Sequence, residues 1–303
     1  MSVVSPIVTA EHAETPSDRI GRGIALALAG YLVLVTWPIW RFAQSSGEML
    51  PLIAHLAILG YTLLLLAAPL RARRVALDWL VLTIGPVMYV ELRWIIAGVG
   101  APHRDAWAIA WEQALFPTNP SATLAPRFAT VALSEALHLA YAAYYLLVYL
   151  PPIALYLRGR RDDFVATVLA LTIVYGVCFI TYALLPVDGP RYLVGPAAAP
   201  DGPIRSFVLA LLDQGSSRGT AFPSSHVAAS VVSSLCALRY QRRVGVAVAI
   251  VTVALTIATV YGGFHYAVDA LVGVILGGLA WVASVGVLKA LGSRGAHTAT
   301  AAW

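Results

Sequence analysis

The sequence predicts an all-α polytopic membrane protein of about eight transmembrane helices, and three observations carry that prediction. Hydrophobic residues fill 59% of the 303 positions and charged ones only 12%, against roughly 45–50% and about 25% in soluble domains. The mean hydropathy is +0.78, more apolar side chain than a water-soluble core of this length can bury. The apolar residues also fall in runs close to the ~20 residues that cross a bilayer, separated by basic or Pro/Gly-rich breaks.

Taken in order, the runs are 20–42, 51–70, 76–99, 129–157, 164–185, 224–238, 244–261 and 266–291. Short cytoplasmic loops retain Lys and Arg, which orients the set. Thirteen of the 20 basic residues fall on the face that carries both termini and the 71–75, 158–163 and 239–243 loops. Six fall on the other face, and Arg93 lies inside the third run. Both termini are therefore expected in the cytoplasm of a multi-pass plasma (inner) membrane protein. The pI near 9.3 follows from this asymmetry and requires no nucleic acid partner. Residues 1–18 lack the n-region and h-region of a cleaved signal and read as a disordered cytoplasmic tail, with 292–303 as a second flexible tail. Cys178 and Cys236 lie inside runs and read as small apolar fillers.

Two long loops, 100–128 and 186–223, share the non-cytoplasmic face. In the first, Trp107, Ala108, Trp111 and Leu115 can lie on one helical face, which suits an interfacial helix with Trp at headgroup depth or a helix packed over the bundle. Residues 19–128 thus read as N-terminal transmembrane helices plus this helix. The second loop is too rich in Pro and Gly for lipid contact and must line water or a protein cavity; a short helix is expected from Ile204 to about Leu212.

That loop ends at the first chemical signal, Ala221-Phe-Pro-Ser-Ser-His226. Pro223 suits the first turn of a helix, which would offer the Ser224 and Ser225 hydroxyls and free N–H groups to an anion, with His226 on the same turn. The second signal is Ala258-Thr-Val-Tyr-Gly-Gly-Phe-His-Tyr-Ala-Val-Asp269. His265 and Asp269 are four apart and share a helical face, so the carboxylate can hold one ring nitrogen and leave the other as a nucleophile. Gly262 and Gly263 allow close backbone approach to a ligand. Arg191, whose fork matches phosphate oxygens, follows the fifth run on the same face. Ionisable groups near spans are costly and usually functional.

These motifs resemble the type 2 phosphatidic acid phosphatase and haloperoxidase superfamily. Pro223 to His226 matches its Pro-Ser-x-His motif, and His265 with Asp269 its His-x-x-x-Asp motif. Thr259-Val-Tyr, His265-Tyr266, Asp269 and Gly273 are similar to its inositol phosphorylceramide synthase, or aureobasidin-resistance, branch, and Pro186-Val-Asp-Gly-Pro-Arg191 fits that branch loosely. The superfamily's usual Lys and Arg are replaced by Leu184 and Thr259. The resemblance implies a catalytic membrane domain over 129–291, with six helices forming the phosphatase-like bundle. It implies His265 as nucleophile, Asp269 as its orienter and His226 as acid and base. Arg191, Ser224, Ser225 and Thr259 would bind phosphate, with no metal and no cofactor.

Glu135, His138, Tyr141 and Tyr145, at helical spacing, read as a headgroup or acceptor pocket, with Arg218 as a further cation, or as interhelical hydrogen bonds. Gly273 and Gly277 read as close helix packing. The function expected is an extracytoplasmic lipid phosphotransferase or phosphatase, passing a phosphoinositol-type headgroup to a lipid alcohol. Its substrate would be a phospholipid or a polyprenyl phosphate. Phosphatidate or polyprenyl-pyrophosphate hydrolysis is the nearest alternative; a transporter or a non-catalytic lipid-binding scaffold is the alternative of another class.

Overall fold

The structure, a computed structural model, describes residues 14–291. Thirteen helices lie among the described residues: α1 (Pro16–Ser46), α2 (Leu50–Ala67), α3 (Leu70–Val99), α4 (Asp105–Leu115), α5 (Pro120–Arg127), α6 (Val131–Ala142), α7 (Tyr144–Leu157), α8 (Arg161–Leu184), α9 (Pro190–Val194), α10 (Pro203–Gly215), α11 (Ser225–Tyr240), α12 (Arg242–Tyr261) and α13 (Ala267–Ala290). Six of these, α1, α2, α3, α8, α12 and α13, are long and apolar enough to cross a bilayer. The run expected as one helix over 129–157 is α6 and α7, which pass the same test together and bend by 43°.

The sixth expected run, 224–238, is α11, with only 16 residues. It packs against α7, α8, α12 and α13, so protein rather than lipid surrounds it and its length need not match the bilayer. Ser230, Ser233 and Ser234 are buried on it; Ser233 donates to the Leu147 carbonyl and Ser234 to that of Ser230, while the Ser230 hydroxyl has no partner. Gly273 and Gly277 of α13 explain how close α11 comes. A Cβ at Gly273 would lie 2.8 Å from the Ser224 carbonyl oxygen, and one at Gly277 2.6 Å from that of Ala228. The close packing expected of this glycine pair is present.

At one end of the bundle the basic loops are tied together. Arg161 grips Asp78 with both arms at 2.6 and 2.7 Å and reaches Asp18 at 2.9 Å, where Arg74 also binds. Asp18 corrects the boundary expected for the N-terminal tail. Thr15 and Asp18 form a reciprocal capping box around Pro16, so α1 begins inside the segment read as disordered. Residues 1–13 and the 292–303 tail lie outside the described residues. Cys178 and Cys236 are buried and free.

At the opposite end the two long loops interlock. The Arg104 N–H donates to the Pro186 carbonyl at 2.8 Å, and the Asp105 carboxylate accepts from the N–H groups of Asp188 and Gly189. Glu91 does not join this end as a free acid. It is buried against His55 of α2 at 3.2 Å, and the other nitrogen of that ring lies 3.0 Å from the Leu32 carbonyl, which fastens α2 to α1 and α3.

Candidate active site

Four chain segments converge at the interlocked end: the start of α11, the turn between α12 and α13, the loop before α9, and helix α4. The α12–α13 turn is built on the carbonyl of Thr259, which accepts from both Phe264 N and His265 N at 3.0 and 3.1 Å. Gly263 has φ +68, a region open mainly to glycine, and a Cβ at Gly262 would strike the Phe264 ring at 2.4 Å. These glycines therefore accommodate the protein's own chain, correcting the expectation that they admit a ligand.

His265 follows this turn. Its Nδ1 lies 2.9 Å from the Ala221 carbonyl oxygen and 3.6 Å from Asp269 Oδ2. A carbonyl can only accept, so Nδ1 carries the hydrogen and Nε2 keeps its lone pair. Asp269 is fully buried; its Oδ2 also accepts from Tyr266 N at 2.9 Å, while Oδ1 has no partner.

The ring of His226 stands 6.1 Å from that of His265, centre to centre. It is sandwiched by tyrosines: Tyr141 stacks at 5.1 Å with its hydroxyl 3.4 Å from Nε2, and Tyr144 lies 4.3 Å away. The bend at Ala143 lets two neighbouring turns of α6 and α7 meet the same imidazole. His226, His265, Tyr141, Arg191, Asp188 and Tyr89 all line one cleft of about 40 Å³, together with Tyr192, Ser216, Ser217 and Thr220.

Arg191 is the cation of that lining. It is held by hydrogen bonds to Ser216 and Asp213 and lies 5.0 Å over the Tyr192 ring. Asp188, in the same wall, accepts from Gly219 N at 2.9 Å and pairs with His103 at 2.8 Å. Arg218 reaches Asp188 only at 3.8 Å and is exposed; Arg205 binds Asp201 and the Ala197 carbonyl. Neither of these lines the cleft.

Several expected site residues have other employment. The start of α11 is not an open anion site. Its cap is Ser224, so Pro223 precedes the helix and does not lie in its first turn, and that serine is buried with its Oγ accepting from Val227 N. Ser224 N donates to the Asp269 carbonyl and Ser225 N to the Tyr182 hydroxyl. The Thr259 hydroxyl donates to the Thr256 carbonyl, and the residue is buried away from the cleft. Glu135 accepts from Ile204 N and Arg205 N, both at 2.9 Å; it caps α10 and is not a headgroup ligand. His138 is buried, with Nδ1 at 2.7 Å from the Ser134 carbonyl. Tyr145 is exposed and edges onto Tyr144.

Other supports were not read from sequence. Glu112 of α4 is buried and accepts from Ala267 N and Val268 N at 3.1 and 2.9 Å, capping α13 beside the site. Trp107 and Trp111 pack on Phe222, so α4 is a helix packed over the bundle. A Glu next to Trp111 on an otherwise largely apolar helix was the available signal. Tyr182 joins Pro223 and Ser225 through one hydroxyl. Burial above all, with the Asp105 and Asp269 carboxylates, pushes the Tyr266 phenol up, so it stays neutral. His103, Asp105 and Asp188 bring possible metal-ligating atoms within 4.8 Å of one another. Both carboxylates already accept loop N–H groups, so the set clamps the chain before α9.

A polytopic helical membrane protein whose paired histidines, arginine and hydroxyls share one cleft is of the class that handles phosphate esters. The family model of the PAP2 superfamily matches residues 106–283, and the chain belongs to that superfamily, whose members are phosphoric ester hydrolases and phosphotransferases. No curated protein and no solved structure matches the chain.

Proposed function

We propose that the protein is a lipid phosphotransferase working through a phosphohistidine on His265, at the extracytoplasmic face of the membrane. The observation that carries this is the His265 ring, whose Nδ1–H is committed to the Ala221 carbonyl while the residue lines the cleft it shares with His226. Nε2 attacks phosphorus and the bond to the leaving oxygen breaks, that oxygen taking from His226 the proton that the bound anionic phosphate brings onto its ring. Neutral His226 then takes the proton of the incoming alcohol, whose oxygen attacks phosphorus as the P–N bond breaks. Arg191 and the polar side chains of the cleft receive the charge on the phosphoryl oxygens.

The same lining favours a phosphodiester over a phosphomonoester. A monoester carries about −1.5 to −2 charges at neutral pH, whereas a diester carries one. The cleft offers Arg191, itself paired with Asp213, and sets Asp188 in the same wall. A single negative charge with a hydroxyl-bearing headgroup suits that balance, as in transfer of a phosphoinositol-type group to a lipid alcohol by the synthase-like branch.

The test offers purified, reconstituted protein a panel of phospholipids with and without ceramide or diacylglycerol. A new headgroup-bearing lipid, lost in His265→Ala, is the expected result. Release of free phosphate from phosphatidate or a polyprenyl pyrophosphate would make the protein a phosphatase instead. Lipid turnover by His265→Ala would overturn the mechanism.

A further inference from the structure

A second cavity, of about 800 Å³, runs between α1, α3, α7 and α8 and reaches His226. On α1 its lining extends from Arg19 to Tyr31 and on α8 from Leu169 to Ile180, roughly 17–18 Å at 1.5 Å per residue, more than half the ~30 Å hydrocarbon thickness. Its walls are mostly aliphatic and aromatic, among them Leu28, Val148, Ile173 and Phe179. Protein interiors are close-packed, and a void of this size forfeits dispersion contacts. An apolar void is no place for ordered water. Hydrocarbon is what fits.

Three further observations point to an occupant. Gly23, Gly85 and Gly176 come from three different helices, all line the cavity, and a Cβ at any of them would meet open space. Glycine is a poor helix former, so these positions keep room open at the expense of helix stability. The Tyr31 hydroxyl is buried without a hydrogen-bond partner, an arrangement that favours a ligand acceptor. Tyr145, Val177 and Ile180 are lining residues exposed on the bundle surface, which leaves a sideways opening toward the bilayer. Tyr89 and His226 line both this cavity and the cleft, so the two adjoin at these side chains.

We propose that this cavity holds one hydrocarbon chain of the lipid whose phosphate meets His226 and His265, with the Tyr31 hydroxyl donating to the ester or amide carbonyl that joins chain to headgroup. The phosphate end rests on the function proposed above; the chain site is tested separately. Bilayer lipid is as apolar as the cavity, so the chain gains little by transfer. What the cavity supplies is position, holding the phosphate at one depth.

The probe is phosphatidylinositol with a diazirine at the end of one long acyl chain, present as a trace with ceramide in phosphatidylcholine vesicles holding the full-length protein. After photolysis, mass spectrometry is expected to find adducts on the cavity-lining stretches of α1 and α8. Gly176→Leu, which fills the cavity with a better helix former and so keeps the fold, should reduce those adducts several-fold, with thermal unfolding as the check on folding. Adducts confined to outward residues such as Ile250 and Val253, or unchanged by Gly176→Leu, would overturn the chain site. Cavity adducts without lipid turnover would retain it and sink the phosphotransfer reading; turnover with only outward adducts would do the reverse.

Discussion

The Nδ1 of His265 is closer to the Ala221 carbonyl oxygen, at 2.9 Å, than to the Asp269 carboxylate, at 3.6 Å. The tautomer that frees Nε2 is therefore fixed by a backbone group, and Asp269 divides its attention between the ring and the Tyr266 N–H. The two residues four apart in sequence share a face, yet the stronger orienter of His265 is 44 positions away.

This predicts unequal losses. His265→Ala should lower kcat by at least about 10³-fold, the scale of losing a nucleophile or general base. Asp269→Asn should cost only about 10–100-fold, as for groups that orient a reacting ligand through its far side. Steady-state kinetics on one lipid substrate checks both, and equal losses would contradict the assignment.

Glu112→Ala should destabilise the protein by about 1–2 kcal/mol, since it removes a buried cap from the positive end of α13. Because α13 begins next to His265, kcat should fall with KM little changed. Thermal unfolding and kinetics on the same preparation check this. An interfacial helix lying free of the bundle would leave both untouched.

Glu135→Gln separates a cap from a headgroup ligand. The Gln oxygen can still accept one of the two α10 N–H groups, so a small loss of stability with unchanged KM is expected. A raised KM with unchanged stability would restore Glu135 to the substrate.

Gly277→Leu should cost about 1–3 kcal/mol or more by overpacking, because its Cβ would meet the Ala228 carbonyl at 2.6 Å. Gly278→Leu is the control, as a Cβ there meets open space. Equal melting temperatures for the two would refute the close α11–α13 packing.

What the sequence made legible was set by chemistry that is local in the chain. Apolar runs reported the spans because lipid demands them, including the short α11 that protein rather than lipid surrounds, but they gave no sign of the 43° bend between α6 and α7. The Pro-Ser-x-His and His-x-x-x-Asp spacings brought His226 and His265 to one cleft. Roles made by distant partners stayed hidden. Glu135 faces the start of α10, Glu112 the start of α13, and Tyr182 the cap of α11, and no spacing rule connects those pairs. The serines at Ser224 and Ser225 illustrate the opposite error: a helix start looks like an anion site until the groups that already occupy its N–H donors are known.

Sidedness is tested with engineered cysteines, since both native thiols are buried. An impermeant maleimide added to intact cells should label Asp201→Cys, on the loop before α10, and reach Arg243→Cys only after permeabilisation. The reverse pattern would place the cleft in the cytoplasm.

The most direct test of the central claim is rapid-quench mass spectrometry of the protein during turnover of a phospholipid. A phosphoryl-bearing adduct on the peptide containing His265, absent from His265→Ala, is the predicted result. An adduct on another residue, or turnover by His265→Ala, would contradict the account.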